Sequence, residues 1–252
     1  MKKSGVPVIK ISVVLIIMIL GIFSILGILV YKKILPLNNL SNKAYTIKGV
    51  DVSHYQGEID WEKLSGEKID FAFIKATEGS KYVDSQFESN WAKVQNTKLM
   101  FGAYHFFSFD SSGDAQAKNY ISTVRLTNGM LPPVVDIEFY GDKQKNMPDK
   151  NKTVKELRAL LDELQSYYGI KPIVYATMRS YNSYIKGEFD DYPLWIRNLY
   201  YSPQIGLKGR WAFWQYTDKA VLEGYGGKEK YIDMNAFRGS KKELEGLCIV
   251  RE

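Results

Sequence analysis

Two carboxylates lie two residues apart in an apolar setting, Asp136 and Glu138 in the run VVDIEF. In an extended strand, residues i and i+2 point to the same side with backbone origins about 6.6 Å apart. Both acids therefore face one space. Asp51 in IKGVDVS and Asp233 in YIDMNAF are two further acids in strand-like runs. Four carboxylates gathered in one mouth repel one another and lose solvation. That raises at least one pKa and can keep a carboxyl protonated near neutral pH. A protonated carboxyl is the acid catalyst that cleavage of a glycosidic bond requires. For Asp51 and Asp233 taken singly, capping a helix or binding loop amides is an ordinary alternative role. For Asp136 and Glu138 the apolar neighbours make a solvated-face explanation poor.

Aromatic side chains accompany the acids. Tyr55, Tyr104, Tyr175, Trp195, Trp214 and Tyr216 all fall in or just after strand-like runs. Flat rings stack on sugar faces, while Tyr hydroxyls and indole N–H groups hydrogen-bond sugar oxygens. Each ring is also an ordinary core residue. His54 and His105 are candidate cleft donors, with a satisfied structural role as the alternative. Glu78, in KATEG, either binds substrate or organises the loop before Gly79.

The elements that must position these residues are short strand-like runs at 47–53, 70–76, 99–107, 132–139 and 171–177, with helical patterns between them. The clearest helix covers 153–168. Thr153 and Glu156 are placed as a capping box, Leu157, Leu160, Leu161 and Leu164 form one apolar face, and Gly169 ends it. A second helix has Asp84 as its expected N-cap and Phe87, Trp91 and Val94 on one face. Strand-helix alternation with long crossovers implies parallel strands joined by right-handed connections. The later runs 193–198, 211–216 and 231–237 are separated by Gly-, Tyr- and Pro-bearing gaps better suited to loops. Five strand-helix units followed by three strands make eight strands, so a distorted α/β barrel of the TIM-like type is the expected closure, with the last strand beside the first. Chemistry in such barrels sits at the C-terminal ends of the strands.

The chain of 252 residues fits one barrel plus an appendage. Its net charge of +6 comes largely from Lys2, Lys3, Lys10, Lys32 and Lys33. Without these five lysines the count is 29 basic to 28 acidic residues, which gives no charge for nucleic acid. The single Cys248 excludes an intrachain disulfide, and two histidines make a zinc site a poor reading. No metal and no cofactor are expected. Residues 11–31 carry no charge, and a helix of that length is about 32 Å long, enough to cross a bilayer. An uncleaved signal anchor is expected, since the stretch exceeds a signal-peptide core and no A-x-A-like cleavage site follows. Lysines on both sides of the span leave its orientation undecided by charge. The expected organisation is a basic tail 1–10, an anchor 11–31, a tether 32–46, a barrel 47–240 and a C-terminal tail 241–252.

An ordered set of motifs resembles glycoside hydrolase family 25, the Chalaropsis-type lysozymes. It comprises GVDVSHYQG at 49–57, DWEKL at 60–64, FAFIKATEG at 71–79, FGAYHFF at 101–107, LPPVVDIE at 131–138, PIVYAT at 172–177, PLWIRNLY at 193–200, WAFWQYTD at 211–218 and IDMNAF at 232–237. The resemblance implies the same five-plus-three barrel and hydrolysis of the β-1,4 bond between N-acetylmuramic acid and N-acetylglucosamine in peptidoglycan. By matching motif, it implies Glu138 as acid/base, Asp136 as its partner, and Asp51 and Asp233 as the other acids. Arg197 stands where the family more often has a small residue such as Ala, which affects the neighbouring subsite. The expected partners are peptidoglycan strands and, through the N-terminal helix, membrane lipid; the expected state is a monomer with its barrel on the extracellular side. Two other classes compete. A tethered glycan-binding module without turnover would be expected to have lost one of the four acids. A divalent-metal barrel enzyme would be expected to carry supporting His residues or a phosphate-binding Gly loop. An Asp nucleophile and assistance by the substrate's own 2-acetamido group both remain open.

Overall fold

A computed structural model describes residues 8–32, 34, 35, 38 and 44–250. Most of the expected basic tail and tether therefore lies outside the described residues. The long apolar helix α1 (Val8–Tyr31) comes first. Over Val13–Tyr31 its mean hydropathy is 3.2 and none of it is buried.

Eight strands then close on themselves: β1 (Lys48–Val52), β2 (Phe71–Glu78), β3 (Met100–Phe106), β4 (Val134–Ile137), β5 (Ile173–Thr177), β6 (Leu194–Arg197), β7 (Phe213–Ala220) and β8 (Ile232–Phe237). Neighbours from β1 to β7 pair in parallel. Strand β8 is antiparallel to both β7 and β1, which seals the barrel. The parallel pairing expected of the strand-helix units is present, and the direction of the last strand, which the sequence left open, is reversed. A β7–β8 hairpin needs no crossover, so the gap between them carries no helix. The reversal also puts Asp233, near the start of β8, at the same mouth as the ends of the parallel strands, directly opposite Asp51.

The crossover helices are α2 (Trp61–Gly66), α3 (Phe87–Val94), α4 (Gly113–Thr123) and α5 (Lys150–Tyr168); α6 (Gln204–Leu207) joins β6 to β7. Helix α5 begins three residues before its expected start. Asp149 is the N-cap, its carboxylate accepting from the Lys152 N–H, so the Thr153 and Glu156 capping box does not form. The Glu156 carboxylate instead accepts the Gly113 N–H at 2.8 Å, satisfying the first turn of α4. Gly169 ends α5 with φ +72°. Asp84 is not the cap of α3, which starts after Gln86; its buried carboxylate accepts the N–H groups of Gln86 and His54 and pairs with the His54 ring.

Alternation of side chains divides each strand between two cores. Outward residues such as Val50, Ile74, Val135 and Ile196 pack under the helices with Leu157, Leu160, Leu161 and Leu164. Inward residues Phe71, Phe73, Val134, Ile173, Trp195, Phe213 and Phe237 fill the barrel. Gly49 is required by this filling, because a Cβ there would sit 2.3 Å from the Phe71 ring. Within the expected C-terminal tail, residues 241–249 pack against the barrel. Ser240 caps α7 (Lys241–Glu245), whose Leu244 is buried with the interior cluster, and the Ile249 N–H donates to the Met130 carbonyl.

Candidate active site

Above the aromatic filling the inward positions turn polar. The strand ends surround a cleft of about 440 Å³, lined by Asp51, Asp136, Glu138, Asp233, Lys75 and Arg197 among others. The four acids singled out from the sequence thus meet in one space. Each arrives there by parity. Asp136 and Glu138 continue the inward row begun by Val134, and Asp51 continues the row of Gly49.

The floor is a hydrogen-bonded lattice. Asn235 Nδ2 donates to Asp51 Oδ2 at 2.7 Å, and Trp195 Nε1 donates to Asn235 Oδ1 at 2.9 Å. Gln215 Nε2 donates to Asp51 Oδ2 at 2.9 Å and to Asp233 Oδ2 at 3.2 Å, while Tyr175 O–H donates to Gln215 Oε1 at 3.0 Å. Two amides and two rings therefore fix Asp51 and Asp233. By contrast, Asp136 Oδ1 is buried and has no hydrogen-bond partner among the described residues. A buried acceptor in that state is costly unless a ligand donates to it.

Electrostatics follow from burial. Desolvation raises the pKa of all four acids. Asp136 is pushed well above the carboxylate range by burial and then by the charge of Glu138. Glu138 is raised by burial, with Arg197 pulling in the opposite direction. Asp233 is pushed up to about 9 by burial and the neighbouring Asp51. Two cations offset the acids. Arg197 is held by Asp218 at 3.1 Å, and Lys75, bound to Glu78 at 2.7 Å, lies over the rings of Tyr82 and Phe106.

The aromatic candidates divide. Tyr55, Tyr104, Tyr175 and Trp195 line the cleft. Tyr55 is 50% exposed and free to meet a sugar face, whereas Trp195 is 2% exposed and serves as floor. Trp214 and Tyr216 do not line it. They lie on the outer side of β7, where Trp214 Nε1 donates to the Asn198 carbonyl and Tyr216 packs beside Trp214 under Lys48. His105 is likewise turned outward and fully buried between Thr77 Oγ1 and Gln116 Oε1, its pKa lowered by burial to about 4. Glu78 does not line the cleft and reaches it only through Lys75, and His54 is occupied by Asp84. Choice by residue type alone missed Lys75, Gln215, Asn235, Phe106 and Tyr231. Strand parity was the available signal: Lys75 shares the side of Phe73, and Tyr104 excludes its neighbour His105.

Comparison with known proteins decides the family. The family model described as "Glycosyl hydrolases family 25" matches residues 50–225. The chain belongs to glycosyl hydrolase family 25. A family 25 glycosyl hydrolase structure from Bacillus anthracis shares 47% identity at a TM-score of 0.76, covering 81% of this chain and 94% of that one. The bacterial lysozyme structure from Streptomyces coelicolor shares 29% identity at a TM-score of 0.69, over 80% of this chain and 96% of the other. In sequence, lysozyme M1 of Streptomyces globisporus is 30% identical over 215 residues, 80% of this chain and 71% of that protein. The uncharacterized protein YegX of Escherichia coli O6:H1 is 35% identical over 213 residues, covering 81% of this chain and 74% of YegX. As a family 25 member the chain is a glycosidase.

Proposed function

We propose that this family 25 barrel is an N-acetylmuramidase that cleaves the β-1,4 bond between N-acetylmuramic acid and N-acetylglucosamine in peptidoglycan. The observation carrying this reading is the convergence of Asp136 and Glu138 with Asp51 and Asp233 in one desolvated mouth. Two buried carboxylates this close retain one proton between them at pH values where exposed acids have lost theirs. Without substrate, Asp136 is favoured as the holder of that proton: burial and then the charge of Glu138 raise its pKa, whereas the largest influence opposing burial at Glu138 is Arg197, which favours its charged form.

Substrate reverses the preference. The N–H of the 2-acetamido group donates to the unpartnered Asp136 Oδ1, which stabilises that carboxylate and leaves the proton to Glu138. Glu138 then protonates the glycosidic oxygen as the C1–O bond breaks, and the acetamido carbonyl oxygen bonds to C1. Water attacks C1 with Glu138 taking its proton, so the acetamido oxygen leaves and the anomeric configuration is retained. Asp51 and Asp233, held by Gln215 and Asn235, share one proton, and the single negative charge left between them supports the positive charge that develops on the ring. Tyr55 and Tyr231, at the rim, bind the flanking sugars.

The helix α1 fits a single membrane span in length and hydropathy, and in this reading it holds the barrel on the extracellular side, where peptidoglycan lies. The test is digestion of purified peptidoglycan by the full chain in detergent, followed by reducing-end analysis. New muramic acid reducing ends support the assignment. Binding without new ends would favour a glycan-binding module, and N-acetylglucosamine ends would move the cleaved bond.

A further inference from the structure

The chain beyond α1 is fastened to the barrel almost at once. Asn38 is 1% exposed, and its Nδ2 donates to the carbonyls of Asn198 and Tyr216, both at 3.0 Å. Leu35, whose N–H donates to the Leu29 carbonyl at the end of α1, lies three residues earlier. At most about 11 Å of chain therefore separates Leu35, hydrogen-bonded to the last turn of the helix, from the barrel wall. Tyr45 continues along the same flank, its ring edge-on to Trp211 and Trp214. On the outer side of β7, Asn38 thus binds the Tyr216 carbonyl and Tyr45 meets Trp214.

Asn198 also organises the loop that follows β6. Its Oδ1 accepts the N–H groups of Tyr200 at 3.1 Å and Tyr201 at 3.3 Å. The loop 199–210 presents Tyr200, Tyr201 and Ile205 to solvent, Ile205 being 73% exposed. It also carries exposed Lys208 and has no acidic residue of its own, while its Arg210 is paired with Asp190 at 2.7 Å. Exposed Tyr with a large aliphatic residue and basic neighbours is the composition that rests in a headgroup interface, rings at headgroup depth and cations at lipid phosphates. One residue thus joins the point where the chain leaves α1 to the loop with that composition.

We propose that loop 199–210 is a second membrane contact, seating Tyr200, Tyr201 and Ile205 in the anionic leaflet from which α1 emerges. This rests on the reading of α1 as an anchor. The loop leaves β6 just after Arg197, a residue of the cleft, so the contact holds the mouth beside the leaflet rather than at the end of a free tether. The glycan strands within reach are those running along the membrane surface.

The test uses the full chain with Cys248→Ser, reconstituted in vesicles of phosphatidylcholine and phosphatidylglycerol. Single nitroxide labels are placed at Ile205→Cys, at Phe23→Cys in α1 and at Tyr167→Cys, an exposed position on α5. Collision with oxygen and with a water-soluble nickel chelate reads the depth of each label. The expected result is nickel accessibility at 205 at least threefold lower than at 167, with 23 fully protected. Equal accessibility at 205 and 167 while 23 is protected overturns the contact and leaves the anchor standing. An accessible label at 23, or release of the chain from vesicles, removes the anchor and the contact with it. Spin-spin broadening at 205 that disappears on dilution with unlabelled chain assigns the loop to a second copy and also overturns the proposal.

Discussion

Asp233 offers the most direct measurement of what the crowded mouth costs the fold. Its carboxyl moves from 3.8 to about 9 on folding, chiefly through burial and then through Asp51. Below the lower value both folded and unfolded chains hold the proton, and the site costs nothing. As pH rises the unfolded chain releases its proton first, so stability falls steadily until the folded carboxyl titrates as well. At about 1.4 kcal/mol per unit, a lone group with this shift costs about 4 kcal/mol at pH 7, of which about 2.7 kcal/mol accrues between pH 5 and pH 7. Asp51 shares the proton, so Asp233→Asn is expected to recover about 1 to 3 kcal/mol over that interval. The Asn carbonyl can still accept from Gln215 Nε2, the bond now made at 3.2 Å, which separates the charge effect from lost hydrogen bonding. Urea denaturation of the full chain in detergent, followed by near-ultraviolet circular dichroism at pH 5 and pH 7, reads the difference. The variant should gain stability over the wild type as pH rises. If the two chains lose stability in parallel between these pH values, Asp233 is not a carboxyl held protonated by its surroundings.

Glu138→Gln removes the transferable proton and should lower turnover by about 10² to 10⁴ with glycan binding retained; near-normal hydrolysis would overturn its assignment as acid/base. Asp136→Asn should also lower turnover strongly. The proton NMR spectrum of the first-formed product should show a retained anomer, and mass spectrometry of quenched enzyme should show no sugar bonded to protein; an adduct on Asp51 or Asp233 would make that residue the nucleophile. Tyr55→Ala should raise KM several-fold with little change in kcat, whereas Tyr216→Phe should leave both unchanged, and equal effects would contradict the division between cleft and outer flank. Gly49→Ala drives a methyl into the Phe71 ring and should destabilise the barrel by about 1 to 3 kcal/mol in urea titration. In bacterial fractionation the full chain should stay with membranes after high-salt washing, and a shortened soluble form beginning near residue 35 would instead establish a cleaved signal peptide.

Local patterns in the sequence determined most of the elements, because each is a matter of short-range periodicity. The i+2 spacing of Asp136 and Glu138 put both on one side of β4, the leucines of α5 marked its buried face, and the uncharged run at 11–31 marked α1. Eight strand runs also gave the barrel and the adjacency of Asp51 to Asp233. Properties set between elements were decided only by the tertiary structure. The Glu156 side chain was spoken for by Gly113 across two helices, which no spacing within one helix reveals. The direction of β8 depends on a hairpin closing against β1, so Asp233 reaches the mouth from the opposite end of its strand. Trp214, Tyr216 and His105 have the right chemistry for a cleft but the wrong parity, and parity becomes a side of the barrel only when the sheet closes. Lys75 looks like an ordinary surface cation in sequence, and Arg197 stands out there only through the family resemblance, yet closure turns both inward toward the four acids. Their influence on those acids is electrostatic, set by distance and burial in three dimensions, and neither quantity is written in the order of the residues.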